Sequence, residues 1–338
     1  MRAVVYRENG PSSVLELVDR EAAEPGPGEV RVRLVRAGVN PTDWKFRAGA
    51  MRGFDEVTPG HDGAGLVDAV GEGVTGLAGG DRVWLVLGNH ERPYGTAAEL
   101  TVQPASRVAP LPDDASYDLG ASLGVPAVTA HRALTSGEGG PARLGVGAMD
   151  GMTVLVQGGA GAVGNAAIQL ARWSGATVVT TVSSAEKAAL ATAAGAHHVV
   201  NYREEDTEAA VLAVAPDGVD LVVEVAPAQN NALDVAVTKV HGTIAIYANN
   251  GGDELTVQLR SIFSKNLRYQ FLILYTLDER FLRAAVDDVL EAVRAGALRV
   301  GDHVGVPLHH FPLDQTAAAH DAVENGAVGK VLLDVAAD

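Results

Sequence analysis

The sequence predicts an α/β protein in which a doubly wound parallel sheet is joined to a second, largely β domain. Three observations carry this reading. From Thr153 onward, short apolar segments alternate with helix-patterned ones, as a sheet covered on both faces requires. Before that, strand-patterned runs are separated by Gly/Pro turns, which suits a compact and largely antiparallel unit. Residues 159–164 read G-A-G-A-V-G, directly after an apolar strand and at the start of a helix.

In the first region the strands are MRAVVY (1–6), EVRVRLVRAGV (29–39), AGLVDAV (64–70), GDRVWLVL (80–87) and AAELTVQ (97–103). The stretch LGASLGVPAVTAHRALT (119–135) predicts a helix interrupted at Pro126, a crossing point between domains. The second region predicts six strands: TVLVQG (153–158), ATVVTTV (176–182), HHVVNY (197–202), VDLVVEV (219–225), GTIAIYA (242–248) and RYQFLIL (268–274). Helices over 162–175 and 184–195 connect the first three. A long helix over 278–298 leads to a closing strand, GKVLLDV (329–335).

The chain has 338 residues, enough for two domains with sizeable cores. Lys plus Arg number 26 against 42 Asp plus Glu, a formal net charge of −16. Such a surface repels a polyphosphate backbone, so no nucleic-acid partner is expected. An anionic cofactor would need a local cationic pocket. There is no cysteine, which excludes disulfides and thiolate metal sites. No run approaches the ~20 apolar residues of a membrane span. The start, MRAVVYRENG, lacks a secretory apolar stretch, so a cytoplasmic protein without a membrane partner is expected.

In the glycine turn each glycine has a separate task. Gly159 makes the tight turn, Gly161 lets backbone amides approach a pyrophosphate, and Gly164 lets helix and strand pack closely. Ala160, Ala162 and Val163 complete the stretch at the helix N-terminus, whose N–H groups favour an anion. The turn therefore predicts dinucleotide binding. At the end of the next strand an NAD site presents a carboxylate to the ribose hydroxyls. This chain offers Ser183, Ser184 and, one turn on, Lys187. Two hydroxyls and an ammonium suit a 2′-phosphate, so NADPH is the expected cofactor. Tyr202 and Arg203, after the third strand, would close the pocket. The bland alternative makes Lys187 and Arg203 solvated surface charges.

Several segments together resemble the zinc-free quinone oxidoreductase and zeta-crystallin branch of the medium-chain dehydrogenase/reductases. They are VNPTDWKFRAG (39–49), PGHDGAG (59–65), AGGDRV (78–83), GVPAVTAHRAL (124–134), GGAGAVG (158–164) and NYREED (201–206). The resemblance implies a GroES-like catalytic domain, here residues 1–126 with 276–338, and a Rossmann cofactor domain over 127–275. It implies that Ser183, Ser184, Lys187 and Tyr202 surround the adenosine phosphate. It puts Thr129, Asn249 and Phe271 with the cofactor, and has Lys330 reach it from the C-terminal segment. It also implies a homodimer, with the sixth strand near a sheet edge that another copy could pair with.

Zinc relatives hold their metal with two Cys and one His. This chain keeps the imidazole as His61, but Asn40 and Val125 align with the thiolates. One imidazole with one nearby carboxylate is a poor zinc site, so no metal is expected. Without a metal, hydride transfer suits an acceptor that delocalises its own developing charge, a quinone or an α,β-unsaturated carbonyl. The loop Asn40-Pro41-Thr42-Asp43-Trp44-Lys45-Phe46-Arg47 is the candidate lining. Asn40 would orient a carbonyl, Lys45 or Arg47 would stabilise an anion, and Asp43 is taken with them as catalytic. The family often has Tyr where this chain has Lys45, which shifts the expectation toward activated double bonds. Two other functions fit the same fold: an enoyl thioester reductase of polyketide type, and a non-enzymatic crystallin or RNA-binding protein that retains the nucleotide site.

Overall fold

The computed structural model describes residues 1–50 and 53–337. The chain forms two compact units, Met1–Val125 with Pro307–Asp338, and Pro126–Val306. In chain order the first unit begins with β1 (Arg2–Val5), β2 (Glu16–Asp19), β3 (Glu29–Val39), α1 (Pro41–Lys45) and β4 (Asp62–Val70). It continues with β5 (Arg82–Leu85), β6 (Leu100–Pro104), β7 (Val108–Pro110) and α2 (Tyr117–Gly120). The chain enters the second unit within α3 (Gly124–Leu134).

The expected helix break at Pro126 falls elsewhere. The interruption lies at residues 121–123, between α2 and α3, and Pro126 is the third residue of α3. There a missing N–H removes no intrahelical bond, so the proline starts the helix rather than breaking it.

The second unit runs β8 (Thr153–Val156), α4 (Ala162–Trp173), β9 (Thr177–Val182), α5 (Ala185–Ala193), β10 (His198–Asn201) and α6 (Thr207–Val214). It continues β11 (Val219–Glu224), α7 (Pro227–Val237), β12 (Thr238–Ile246), α8 (Leu259–Lys265), β13 (Arg268–Phe271) and α9 (Glu279–Arg294). Among the described residues its sheet has six parallel strands in the order β10-β9-β8-β11-β12-β13. All six expected strands are present. The order reverses between β8 and β11, and the crevice outside the carboxyl ends of such strands is where open α/β sheets bind ligands. Leu155, Val179, Val222 and Ile244 form the centre of its core.

The chain then returns to the first unit with β14 (Leu308–Pro312), α10 (Thr316–Glu324) and β15 (Lys330–Asp334). β15 pairs antiparallel with β3, Val331 opposite Val39, and carries β14 on its other side in parallel. The sheet order is β14-β15-β3-β4-β5-β7, with β6 also on β3. Alternate residues of β3, Val30, Val32 and Leu34, enter a core shared with Val331 and Leu333. Strands β2, β7 and β14 were not anticipated; LHHFP in β14 reads as a polar loop until β15 supplies its partner.

The unit boundary also differs from the expected one, because residues 276–306 belong to the second unit. The buried face of α9, Ala285, Asp288, Val289, Ala292 and Val293, has helical spacing. Within it the Asp288 carboxylate accepts from His131 Nε2 at 2.7 Å, Arg143 Nε at 2.8 Å and the Leu144 N–H at 2.7 Å. Burial opposes the charge on Asp288, but these bonds outweigh it and hold the carboxyl below its ordinary range. Asp288→Ala strands the Leu144 N–H and the His131 ring. It should cost about 2–4 kcal/mol in denaturant unfolding, the cost fading as the pH falls through the depressed carboxyl pKa. A cost below about 0.5 kcal/mol would show that α9 docks by apolar contact alone.

Candidate functional site

The glycine turn joins β8 to α4, with Gly161 as the N-cap residue of the helix. A Cβ on Gly159 would lie 2.1 Å from Thr180 Oγ1, and one on Gly164 would lie 2.4 Å from the Gly158 carbonyl oxygen. Those two glycines thus permit strand–strand and helix–turn contact. Gly161 differs: a Cβ there meets only the Gly158 oxygen, at 3.5 Å. The space over Gly161 at the start of α4 is the cradle a pyrophosphate needs, so this turn fits a dinucleotide. Gly158, which the motif count left out, has φ 70° and is the turn's left-handed residue.

At the end of β9, Ser184 caps α5, accepting the Lys187 N–H at 3.3 Å. The Lys187 ammonium donates to Ser183 Oγ at 3.2 Å. The cap turns the lysine back over the strand end, and two hydroxyls and one cation converge there. The nearest carboxylate in sequence, Glu186, is exposed on the first turn of α5. Tyr202 and Arg203 are exposed beyond β10. Thr129 is buried in α3, and Asn249 is exposed after β12 with its amide on Asp253. Phe271 is 60% exposed on β13, its ring stacked near Tyr269 at 6.5 Å between centroids.

In the first unit the expected loop over 40–47 is largely helix α1, with Asn40 as its N-cap, and it turns its polar residues inward. Asn40 is 2% exposed; its Nδ2 donates to Asp62 Oδ2 at 2.8 Å and its Oδ1 accepts from Lys330 Nζ at 2.7 Å. Lys330, expected at a cofactor, is itself 2% exposed and also donates to Asp62 Oδ2 at 3.0 Å. A charge buried this deeply stays with its counter-charge. Asp62 Oδ1 accepts the Val125 N–H at 2.7 Å. Sequence reasoning passed over Asp62, although it follows His61 directly.

Asp43 accepts the Asn40 N–H at 2.7 Å and lies 2.6 Å from His61 Nδ1. Burial works against its charge, but the His61 ring, the His320 imidazole and the Asn40 N–H together hold the carboxyl below its ordinary range. Burial pushes the nearby His320 imidazole on α10 down to about 4, with Asp43 opposing the shift and Arg47 adding to it. Arg47 is buried too, its guanidinium on Glu324 at 2.9 Å and on the Gly10 carbonyl at 3.1 Å. Lys45 is half-buried, its ammonium 5.9 Å from the centre of the Trp44 ring. Of the four polar residues expected to be catalytic, Asn40, Asp43 and Arg47 are therefore committed to internal partners. Beside Phe46 a cavity of about 440 Å³ is lined by Tyr6, Phe54 and Val57, with Arg7, Glu8, Asn9, Asn89, Glu91 and Arg92 at its polar side.

Two family models match the chain: the alcohol dehydrogenase GroES-like domain over residues 26–113 and the zinc-binding dehydrogenase over residues 162–292. With the two folds described, they define a medium-chain dehydrogenase/reductase. The quinone oxidoreductase of Lama guanicoe is 32% identical over 98% of this chain and 97% of its own. The 2-haloacrylate reductase of a Burkholderia species is 30% identical over 95% of this chain and 94% of its own. A mycobacterial protein solved in complex with NADPH has a TM-score of 0.83 at 30% identity, over 99% of this chain and 100% of that one. The chain belongs to the quinone oxidoreductase family. One of the two family descriptions names zinc; this chain has no cysteine, and among the described residues no group of three His, Asp or Glu side chains is placed to hold a metal ion.

The Asp62–Lys330 pair makes a direct prediction. Lys330→Met leaves Asp62 charged and short of a donor and should cost about 3–5 kcal/mol in denaturant unfolding. Adding Asp62→Asn should recover more than half of that loss. Equal stabilities for the single and double variants would show that the pair is not coupled.

Proposed function

We propose that this chain is an NADPH-dependent, metal-independent reductase of quinones or α,β-unsaturated carbonyls. The observation that carries the cofactor is the Lys187–Ser183 contact at the end of β9, where an NAD site would present a carboxylate. In this reading Gly159, Ala160, Gly161, Ala162, Val163 and Gly164 receive the pyrophosphate, and Ser183, Ser184, Lys187 and Tyr202 receive the 2′-phosphate. Thr129 and Asn249 serve the nicotinamide half. Bound NADPH supplies the hydride.

Lys45 is the side chain of the 40–47 loop assigned to the charge that develops on the acceptor oxygen. Asn40, Asp43 and Arg47 hold the loop that presents it, and Lys330 holds Asn40. The cavity beside Phe46, with aromatic and aliphatic walls, has the size and lining for a flat conjugated acceptor. The absence of a converging metal-ligand set supports a substrate that needs no Lewis acid, and the names of the two curated relatives agree with that substrate class.

NADPH and NADH binding should be titrated, then oxidation followed with a naphthoquinone, a 2-alkenal and a cyclic enone, each with and without chelator. NADPH should be preferred and turnover should survive the chelator. Lys187→Ala should weaken NADPH about tenfold and leave NADH little changed, the loss of one charge-assisted contact. Failure of both nucleotides to bind would end this reading, and chelator-sensitive turnover would overturn its metal-free part.

We further propose a homodimer through the β13 edge. β13 ends the sheet, and Leu259, Phe263, Phe271 and Ile273 are all more than half exposed around it. Sedimentation should give about twice the 34.9 kDa of one chain, and a mass equal to one chain would refute pairing.

A further inference from the structure

Two carboxyl groups face each other inside the second unit, apart from every group assigned above. Glu224 ends β11 and Asp234 lies on α7; both are fully buried. Glu224 is well supplied with donors. It accepts the Ala226 N–H and the Asn230 Nδ2, the latter at 3.1 Å to Oε1 and 3.3 Å to Oε2. Asp234 is not. Its Oδ1 accepts from Gln157 Nε2 at 2.8 Å, while Oδ2 is buried with no donor group and interacts with Glu224. Two buried carboxylates in contact repel each other, and a single proton between them turns the repulsion into a hydrogen bond. The supply of donors assigns that proton to Asp234 Oδ2, from which it is donated to Glu224. Burial first, and then the Glu224 charge, push the Asp234 carboxyl well above its ordinary range. Burial also raises that of Glu224.

From this pair a chain of hydrogen bonds reaches the glycine turn. Gln157, directly after β8, donates to Asp234, and its Oε1 accepts the Thr181 hydroxyl of β9. Thr181 Oγ1 in turn accepts the Gly158 N–H at 3.3 Å. Gly158 is the left-handed residue of the turn and offers the carbonyl against which Gly164 packs. On the other side Glu224 fixes Ala226, the entry to α7. Both ends of the chain of bonds thus lie at the carboxyl ends of β8 and β11, where the strand order reverses.

We propose that Glu224 and Asp234 share one proton and act together as positioning residues, holding the glycine turn and the loop after β11 in the geometry that receives the dinucleotide. This rests on the cofactor reading above. Loss of the proton leaves two charges in contact; Asp234 is driven from Glu224, Gln157 loses its anchor, and the turn loosens. Dinucleotide affinity therefore falls as the pH rises.

Of the other titratable groups, Tyr247 after β12 interacts with Glu224 and Tyr269 on β13 with Asp234, while Lys265 on α8 is bonded to the backbone that follows Asp234. Burial raises the Tyr247 phenol, and burial with the Asp234 charge raises that of Tyr269, so both shifts favour the neutral form. Tyr269 donates to Asn231 Oδ1 at 2.7 Å. The Lys265 ammonium is held on the carbonyls of Val235, Ala236 and Thr238, each at 2.8 Å.

The test is the dissociation constant of NADPH for the full chain, read by nucleotide fluorescence from about pH 7 to about pH 9.5. In that range ordinary carboxylates and the 2′-phosphate are already ionised. Wild type should weaken about tenfold toward the alkaline end. Asp234→Ala should bind about tenfold more weakly near pH 7. Asp234→Asn, which still accepts from Gln157 and donates to Glu224 without an ionisable proton, should restore binding and abolish the alkaline slope. A role in stability alone would lower the melting temperature of D234A without an alkaline slope in wild type. A flat wild-type profile, or a slope that persists in D234N, overturns the proposal. Absence of NADPH binding by wild type at every pH overturns the cofactor reading and this inference with it.

Discussion

Asp62 is a carboxylate with no access to water, and the first unit is arranged around satisfying it. A charge removed from water must draw donors from whatever is in reach, because burying it without them is strongly unfavourable. Asp62 takes them from the Asn40 amide, the Val125 N–H and the Lys330 ammonium. Each donor belongs to a different part of the chain: the loop after β3, the start of α3 and the start of β15. The neighbours give way to make room. A Cβ on Gly124 would lie 2.2 Å from Asp62 Oδ1, and one on Gly38 would lie 2.8 Å from Lys330 Cε. Side chains at those two positions would force the pair apart.

The same arrangement divides the work inside the 40–47 loop. Asn40 answers to Asp62 and Lys330, Asp43 to His61, and Arg47 to Glu324 and the Gly10 carbonyl. Lys45 is half-buried, with its ammonium 5.9 Å from the centre of the Trp44 ring.

How much of this could be read from the residues alone depended on whether the signal was local. The doubly wound sheet was legible because each strand is a short apolar run and each helix announces its own start and stop. The glycine turn was legible because its context, strand before and helix after, lies within a dozen residues. The Ser183–Lys187 contact is equally local, one helical turn set by a serine cap. Partner choice across the chain was not legible. The resemblance puts Lys330 with the cofactor, and nothing in its spacing says that its counter-charge stands 268 positions earlier. Nothing local singles out Asp234, which meets Glu224 only through packing. The interruption near Pro126 was misplaced for a similar reason. A proline marks a helix start as readily as a break, and only the turn after α2 decides between them.

The internal position of β15 in its sheet, between β14 and β3, has a consequence for biosynthesis. The second unit is continuous in sequence and has all its strands once the chain has been made to Val306. The first unit is split. Its β3 lacks one neighbour, and Asp62 its ammonium, until a strand that begins at Lys330 has emerged. At ordinary translation speeds the 290 residues separating Asn40 from Lys330 correspond to roughly 15–60 s. During that interval the early strands carry an open edge and a buried-type carboxylate without its partner. The order of synthesis therefore favours completion of the nucleotide-type sheet first, with closure of the older strands as a late, long-range event.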